Sequence, residues 1–214
     1  MLNTAEDLIL LALNDSTGAF YRMTEINFNL ALVGALFMDL AALKRIDISQ
    51  DTLLLLSKES TGDEFLDQCL SLIAEASPEK GCSELIRVVY SGFPQLKERL
   101  LNSLVQRKIL RLQEDKILWV FHARRYPIVD DREEQEVLTR IRSVIIEAQE
   151  PQARDTVLIA LLCVCDLIDK VFSKEELNAH CKRIELVRNM DLISPAVYQI
   201  IAEIQVLMAS TFSA

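Results

Sequence analysis

The chain has 214 residues, enough for one large domain that buries a core without disulfides or metals. Half its residues are apolar and only five are Gly and five Pro, a composition that excludes a disordered chain. Its formal charge of −9 repels phosphate polymers, so nucleic acid is not an expected partner, and any anion site has to be a local, shaped pocket.

In chain order, Thr4-Ala5-Glu6-Asp7 reads as a helix start with carboxylates in the first turn, where the helix dipole favours them. The helix runs to Leu13 and stops at the turn formers Asn14 to Gly18. Glu25 to Lys44 is apolar on nearly every side, the mark of a central helix. Its longest apolar run, Leu30 to Leu43, is short of the ~20 residues a bilayer demands and contains Asp39, so a buried helix is expected. Arg45 to Ser49 alternates, Gln50-Asp51 turns and Thr52 to Leu56 returns, which predicts a β-hairpin.

Ser60-Thr61-Gly62-Asp63 caps a helix from Glu64 to Ala76, with Phe65, Leu66, Cys69, Leu70 and Ile73 on one stripe. A short helix over Ser83–Tyr90 follows, then one from near Pro94 to Arg107. A second hairpin is predicted with strands Ile109–Leu112 and Ile117–Phe121 around a turn at Glu114–Lys116. Helices near Asp131–Glu147, Asp155–Val171, Lys174–Arg188 and Ser194–Phe212 complete the chain. The fold class is therefore mainly α: a single helical domain, 1–214, with two small β-hairpins, one of them projecting.

Chemistry-bearing motifs are scarce. The five cysteines form no CxxC pair, and with the two histidines, His122 and His180, they offer no metal-ligand spacing. Free thiols and acidic residues at Glu6 and Asp7, where a signal peptide carries basic ones, point to a reducing cytosol. No nucleophile elbow, phosphate loop or dinucleotide fingerprint is present, so neither catalysis nor a cofactor is expected. Asp39, in its apolar helix, reads as a structural carboxylate. Between Pro94 and Arg142 there are 11 Lys/Arg against 8 Asp/Glu, and this segment reads either as a solvated face or as the anion-facing side. Its helix followed by a hairpin has the order of a winged helix, but the acidity of the whole molecule opposes DNA binding. Trp119 belongs either to a core strand or to an arm that meets a subunit or a lipid interface.

Several stretches resemble the Golgi phosphoprotein 3 family: Ala5 to Asp15, Leu32 to Ala41 followed by Lys44-Arg45-Ile46, Thr61-Gly62-Asp63-Glu64-Phe65-Leu66-Asp67, Leu96 to Leu100 with Leu104-Val105 and Ile109-Leu110, and Tyr126-Pro127. The order and spacing of these stretches hold over nearly the whole chain. The resemblance implies a non-catalytic protein, cytoplasmic and peripheral at a membrane, that binds phosphatidylinositol 4-phosphate and self-associates through the hairpin Arg111–His122. In eukaryotic members it also implies recognition of protein tails. The family's tryptophan, its arginine and the first of its two later basic residues are matched here by Thr24, Val33 and Pro94; Lys97 matches the second. This departure marks a bacterial-type member, with Tyr21 and Arg22 close enough to replace the aromatic wall and one charge. The expected lipid-phosphate ligands are Tyr21, Arg22, Lys97 and Arg99, and the expected interface or membrane residues are Leu118, Trp119 and Phe121. The alternative is a helical adaptor whose acidic surface binds basic protein tails.

Overall fold

The computed structural model describes residues 2–49, 52–76, 80–117, 121–188 and 195–211. Helix α1 (Thr4–Leu11) takes its cap one residue earlier than expected: Asn3 accepts from the Glu6 N–H at 2.9 Å, while Glu6 accepts from the Asn3 N–H. Thr4 is released for another task, donating from its N–H and its hydroxyl to Asp39 at 2.8 and 2.6 Å. All eight α1 residues are buried. The central helix α2 (Glu25–Ala42) packs on α1, on α3 (Glu64–Glu75), on α4 (Cys82–Gly92), on α7 (Ala153–Val164) and on α10 (Pro195–Thr211). It has the length and composition to cross a bilayer, yet eleven of its eighteen residues are buried, which makes it a core helix. Gly34 permits the crossing with α10: a Cβ there would lie 1.9 Å from Ile204 Cδ1.

The first hairpin forms as expected, β1 (Ile46–Ser49) antiparallel to β2 (Thr52–Leu55), with the Gln50–Asp51 turn outside the described residues. On α3 the five residues of the expected stripe are the buried ones, and Asp63 caps the helix by accepting from the N–H groups of Phe65 and Leu66. Gln95, in the left-handed region at φ 57°, launches α5 (Leu96–Gln106).

The second hairpin corrects the expectation. Ile109 and Leu110 are buried, with both N–H groups on the Leu104 carbonyl, so this apolar pair anchors the hairpin base rather than forming its first strand. The strands are β3 (Gln113–Ile117) and β4 (Phe121–Arg125), paired from Gln113↔Arg125 to Ile117↔Phe121. Among the described residues these strands make their substantial contacts with each other alone, so the hairpin projects. Beyond it lie α6 (Arg132–Ile146), α7, α8 (Ile168–Val171), α9 (Lys174–Arg188) and α10. The single helix expected over Asp155–Val171 is two. After Cys165, Asp166 adopts φ 55°, its N–H bonds the Cys163 carbonyl and the Leu167 N–H bonds the Leu162 carbonyl, a Schellman termination with Asp in the glycine position.

Candidate functional site

The loop from α1 to α2 is ordered by its own polar side chains and by its contacts with the chain after β4. Asn14 Oδ1 accepts from Ser16, from the Thr17 hydroxyl and from the Thr17 N–H, forming a tight turn. Gly18 at φ 63° then accepts from the Tyr126 N–H at 2.6 Å, and a Cβ on it would meet the Pro127 nitrogen at 2.4 Å. Phe20 pairs back to Leu13, and the Tyr21 N–H bonds the Ala12 carbonyl. The Phe20 ring packs edge-on against Phe28 at 5.6 Å and Tyr126 at 6.5 Å.

Three cations attend this loop. Lys97 Nζ, from α5, lies 5.6 Å from the Phe20 ring centre and Lys170 Nζ, from α8, lies 5.5 Å from that of Tyr21. Arg22 is exposed and lines a cleft of about 340 Å³ together with Thr24, Asn27, Phe28 and the α7 terminus. Of the expected phosphate ligands, Tyr21, Arg22 and Lys97 are thus brought to one loop. Lys97 Nζ is held by Glu25 at 3.0 Å and Glu98 at 3.7 Å.

Arg99 is placed elsewhere. Two residues along a helix it faces away from Lys97, stacks 4.8 Å from the Phe93 ring and 5.6 Å from Phe65, and donates to Gln68 at 2.6 Å. Leu118 and Trp119 lie outside the described residues; Phe121 opens β4 opposite Ile117. Of the departures, Thr24 caps α2 without a side-chain hydrogen bond and lines the cleft, Val33 is buried in the core, and Pro94 precedes α5. Residues missed from sequence are Phe20, Lys170 and Asp166, whose approach to the loop depends on tertiary packing and leaves no trace in local spacing.

The basic excess between Pro94 and Arg142 is largely consumed within the fold. Arg107 pairs with Glu6 at 3.0 Å, Arg140 with Asp155, Arg142 with Glu176 and Arg132 with Asp130. Around α1 the Arg107 and Arg140 pairs join a buried network, in which Arg140 also lies 3.8 Å from Asp7 and Arg154 donates to Asp7 at 2.7 Å and to the Leu2 carbonyl. Burial pushes the Asp7 carboxyl up to about 7 against the opposing pull of Arg154 and Arg140, and raises Glu6 and Asp39 as well. Glu134, buried on α6 with Asp15 and Asp131 as neighbours, is likewise pushed up to about 7. Asp39 is half-buried and holds the start of α1 through Thr4, a structural role, while the fully buried carboxylates are Glu6, Asp7, Glu134 and Asp155. Among the described residues no group of three or more His, Cys, Asp or Glu could hold a metal ion.

The sequence model of the Golgi phosphoprotein 3 family matches residues 4–204. A curated relative, vacuolar protein sorting-associated protein 74 of Eremothecium gossypii, is 25% identical over 166 residues, covering 68% of this chain and 49% of that protein. The chain thus spans about half the length of that relative.

Proposed function

The chain belongs to the Golgi phosphoprotein 3 family, and from that premise we propose that it is a non-catalytic, cytoplasmic protein that seats at a membrane by gripping a phospholipid headgroup phosphate of the phosphatidylinositol 4-phosphate type. The supporting observation is that the aromatic loop Phe20–Thr24 carries Lys97 over Phe20, Lys170 over Tyr21 and Arg22 at the adjoining cleft. A phosphate carries more charge than the exposed Glu25 carboxylate and offers more acceptor oxygens, so it can displace Glu25 from Lys97. Tyr21 supplies the aromatic wall, and Arg99 belongs to the scaffold. The projecting β3–β4 hairpin is the surface through which copies would associate.

Vesicles carrying phosphatidylinositol 4-phosphate should sediment the protein at low salt. Lys97→Glu should reduce binding at least about tenfold, a loss of ~1.4 kcal/mol, and Arg99→Gln should leave binding by the folded protein unchanged. No sedimentation at low salt would remove the lipid reading. A second reading, capture of basic protein tails, draws on the net charge of −9 and on the exposed Asp131 and Glu136 with the half-buried Glu133 at the start of α6. In that case Lys/Arg-rich peptides would bind the chain, and neutralising those carboxylates, not Lys97, would abolish binding.

A further inference from the structure

The cleft beside Arg22 has two poles. On one side stand the Arg22 guanidinium and the first turn of α2, Thr24 and Asn27; on the other stand Asp166 and the last residues of α7, Val164 and Cys165. Among the described residues neither Arg22 nor Asp166 has an ion-pair partner, and they are not paired with each other although they face the same space. Lys170, the nearest cation in sequence to Asp166, is instead held by Asp169 at 2.7 Å. The helix ends reinforce the same polarity, since the start of α2 is positive and the end of α7 is negative. Phe28 and Met23 provide an apolar floor.

The geometry points to a zwitterion as the occupant: an ammonium group tethered a few bonds from a phosphate or carboxylate, with the anion at Arg22 and the ammonium at Asp166. A polyanion would meet repulsion at the Asp166 pole, and a simple amine would leave Arg22 unmatched. The volume of about 340 Å³ lies at the small end of ligand clefts and suits a headgroup-sized molecule. The proposal goes beyond the phosphatidylinositol 4-phosphate reading and shares only Arg22 with it, since neither Lys97 nor Lys170 lines this cleft; its membrane source is a zwitterionic lipid headgroup, and the same chemistry occurs free in solution as phosphoethanolamine.

Both sources can be tested on the full chain. Free O-phosphoethanolamine, inorganic phosphate and ethanolamine would each be titrated by calorimetry, and vesicles of phosphatidylcholine with and without phosphatidylethanolamine would be sedimented. The expected result is phosphoethanolamine binding at least about tenfold tighter than either fragment. Asp166→Asn, which keeps a residue tolerant of the left-handed backbone, should erase the preference over phosphate, and Arg22→Gln should erase the preference over ethanolamine. Sedimentation that rises with phosphatidylethanolamine and falls in Asp166→Asn assigns the lipid as source; binding of the free compound alone assigns the soluble one. The proposal is overturned if phosphoethanolamine and phosphate bind equally, if Asp166→Asn leaves their ratio unchanged, or if phosphoethanolamine does not bind by about 10 mM. Lys97-dependent sedimentation on phosphatidylinositol 4-phosphate vesicles together with any of these results leaves the headgroup reading standing without the zwitterion.

Discussion

Gly18 carries two demands at once, a left-handed backbone at φ 63° and a close approach of the Tyr126–Pro127 peptide. Gly18→Ala meets backbone with its new methyl group, so nothing flexible can yield, and the strained φ adds about 1 kcal/mol. The expected loss is at least about 2 kcal/mol of stability in urea unfolding, with loop-dependent binding weakened in the protein that stays folded. Glu134 is the opposite kind of residue. It is buried, with Asp15 and Asp131 disfavouring its charge, and Glu134→Gln should stabilise the protein at pH 8 by about 1–2 kcal/mol while changing little at pH 5. At this scale the sequence was only partly legible. Asp39 stood out because one charge interrupted an apolar helix, whereas Glu134 and Asp155 sit among other charges and disclose their burial only in three dimensions.

Among elements, α1 is the most dependent on its neighbours, because every one of its residues is buried and its two acids are held by arginines from three other helix segments. Arg154→Ala leaves Asp7 buried beside a weaker partner, Arg140 at 3.8 Å, and should cost about 3–5 kcal/mol. Adding Asp7→Asn should restore part of that loss, as a double-mutant cycle by denaturant titration would reveal. Helices α3 to α6 were readable because each buries one face and repeats its apolar residues accordingly, and α2 because it is apolar on nearly every side. The second hairpin was not. Gln113–Ile117 and Phe121–Arg125 are mainly polar in sequence and lack the apolar alternation by which strands are recognised. The nearby apolar pair Ile109-Leu110 carried the stronger signal but belongs to the core. The break between α7 and α8 was hidden because apolar residues continue across it and the left-handed position is filled by Asp166 rather than glycine.

For the whole molecule, the buried carboxylates set how stability follows pH. Asp7 has an ordinary value of 3.8 and a folded value of about 7, and Glu6, Asp39 and Glu134 are raised too. The folded state therefore holds protons that the unfolded chain has released between about pH 4 and 7. This contribution is complete below the unfolded values and is lost as pH rises through the folded ones. The melting temperature should increase by several degrees on going from pH 8 to pH 6, and Asp7→Asn with Glu134→Gln should flatten that slope. A melting temperature that falls over this interval contradicts the assignment. Net charge could be counted from the sequence, but its distribution could not: the local basic excess was visible, and its neutralisation by Glu6, Asp155 and Glu176 was not.

The seam between Gly18 and Tyr126 has a mechanical consequence. Tyr126 directly follows the last residue of β4, so the chain leaving the projecting hairpin is bonded to the α1–α2 loop within a single residue. A partner that grips the hairpin gains leverage on that loop without touching it. Were two copies yoked through their hairpins, their loops would be held at a fixed spacing, and the second lipid contact would be strengthened by avidity rather than by any new bond.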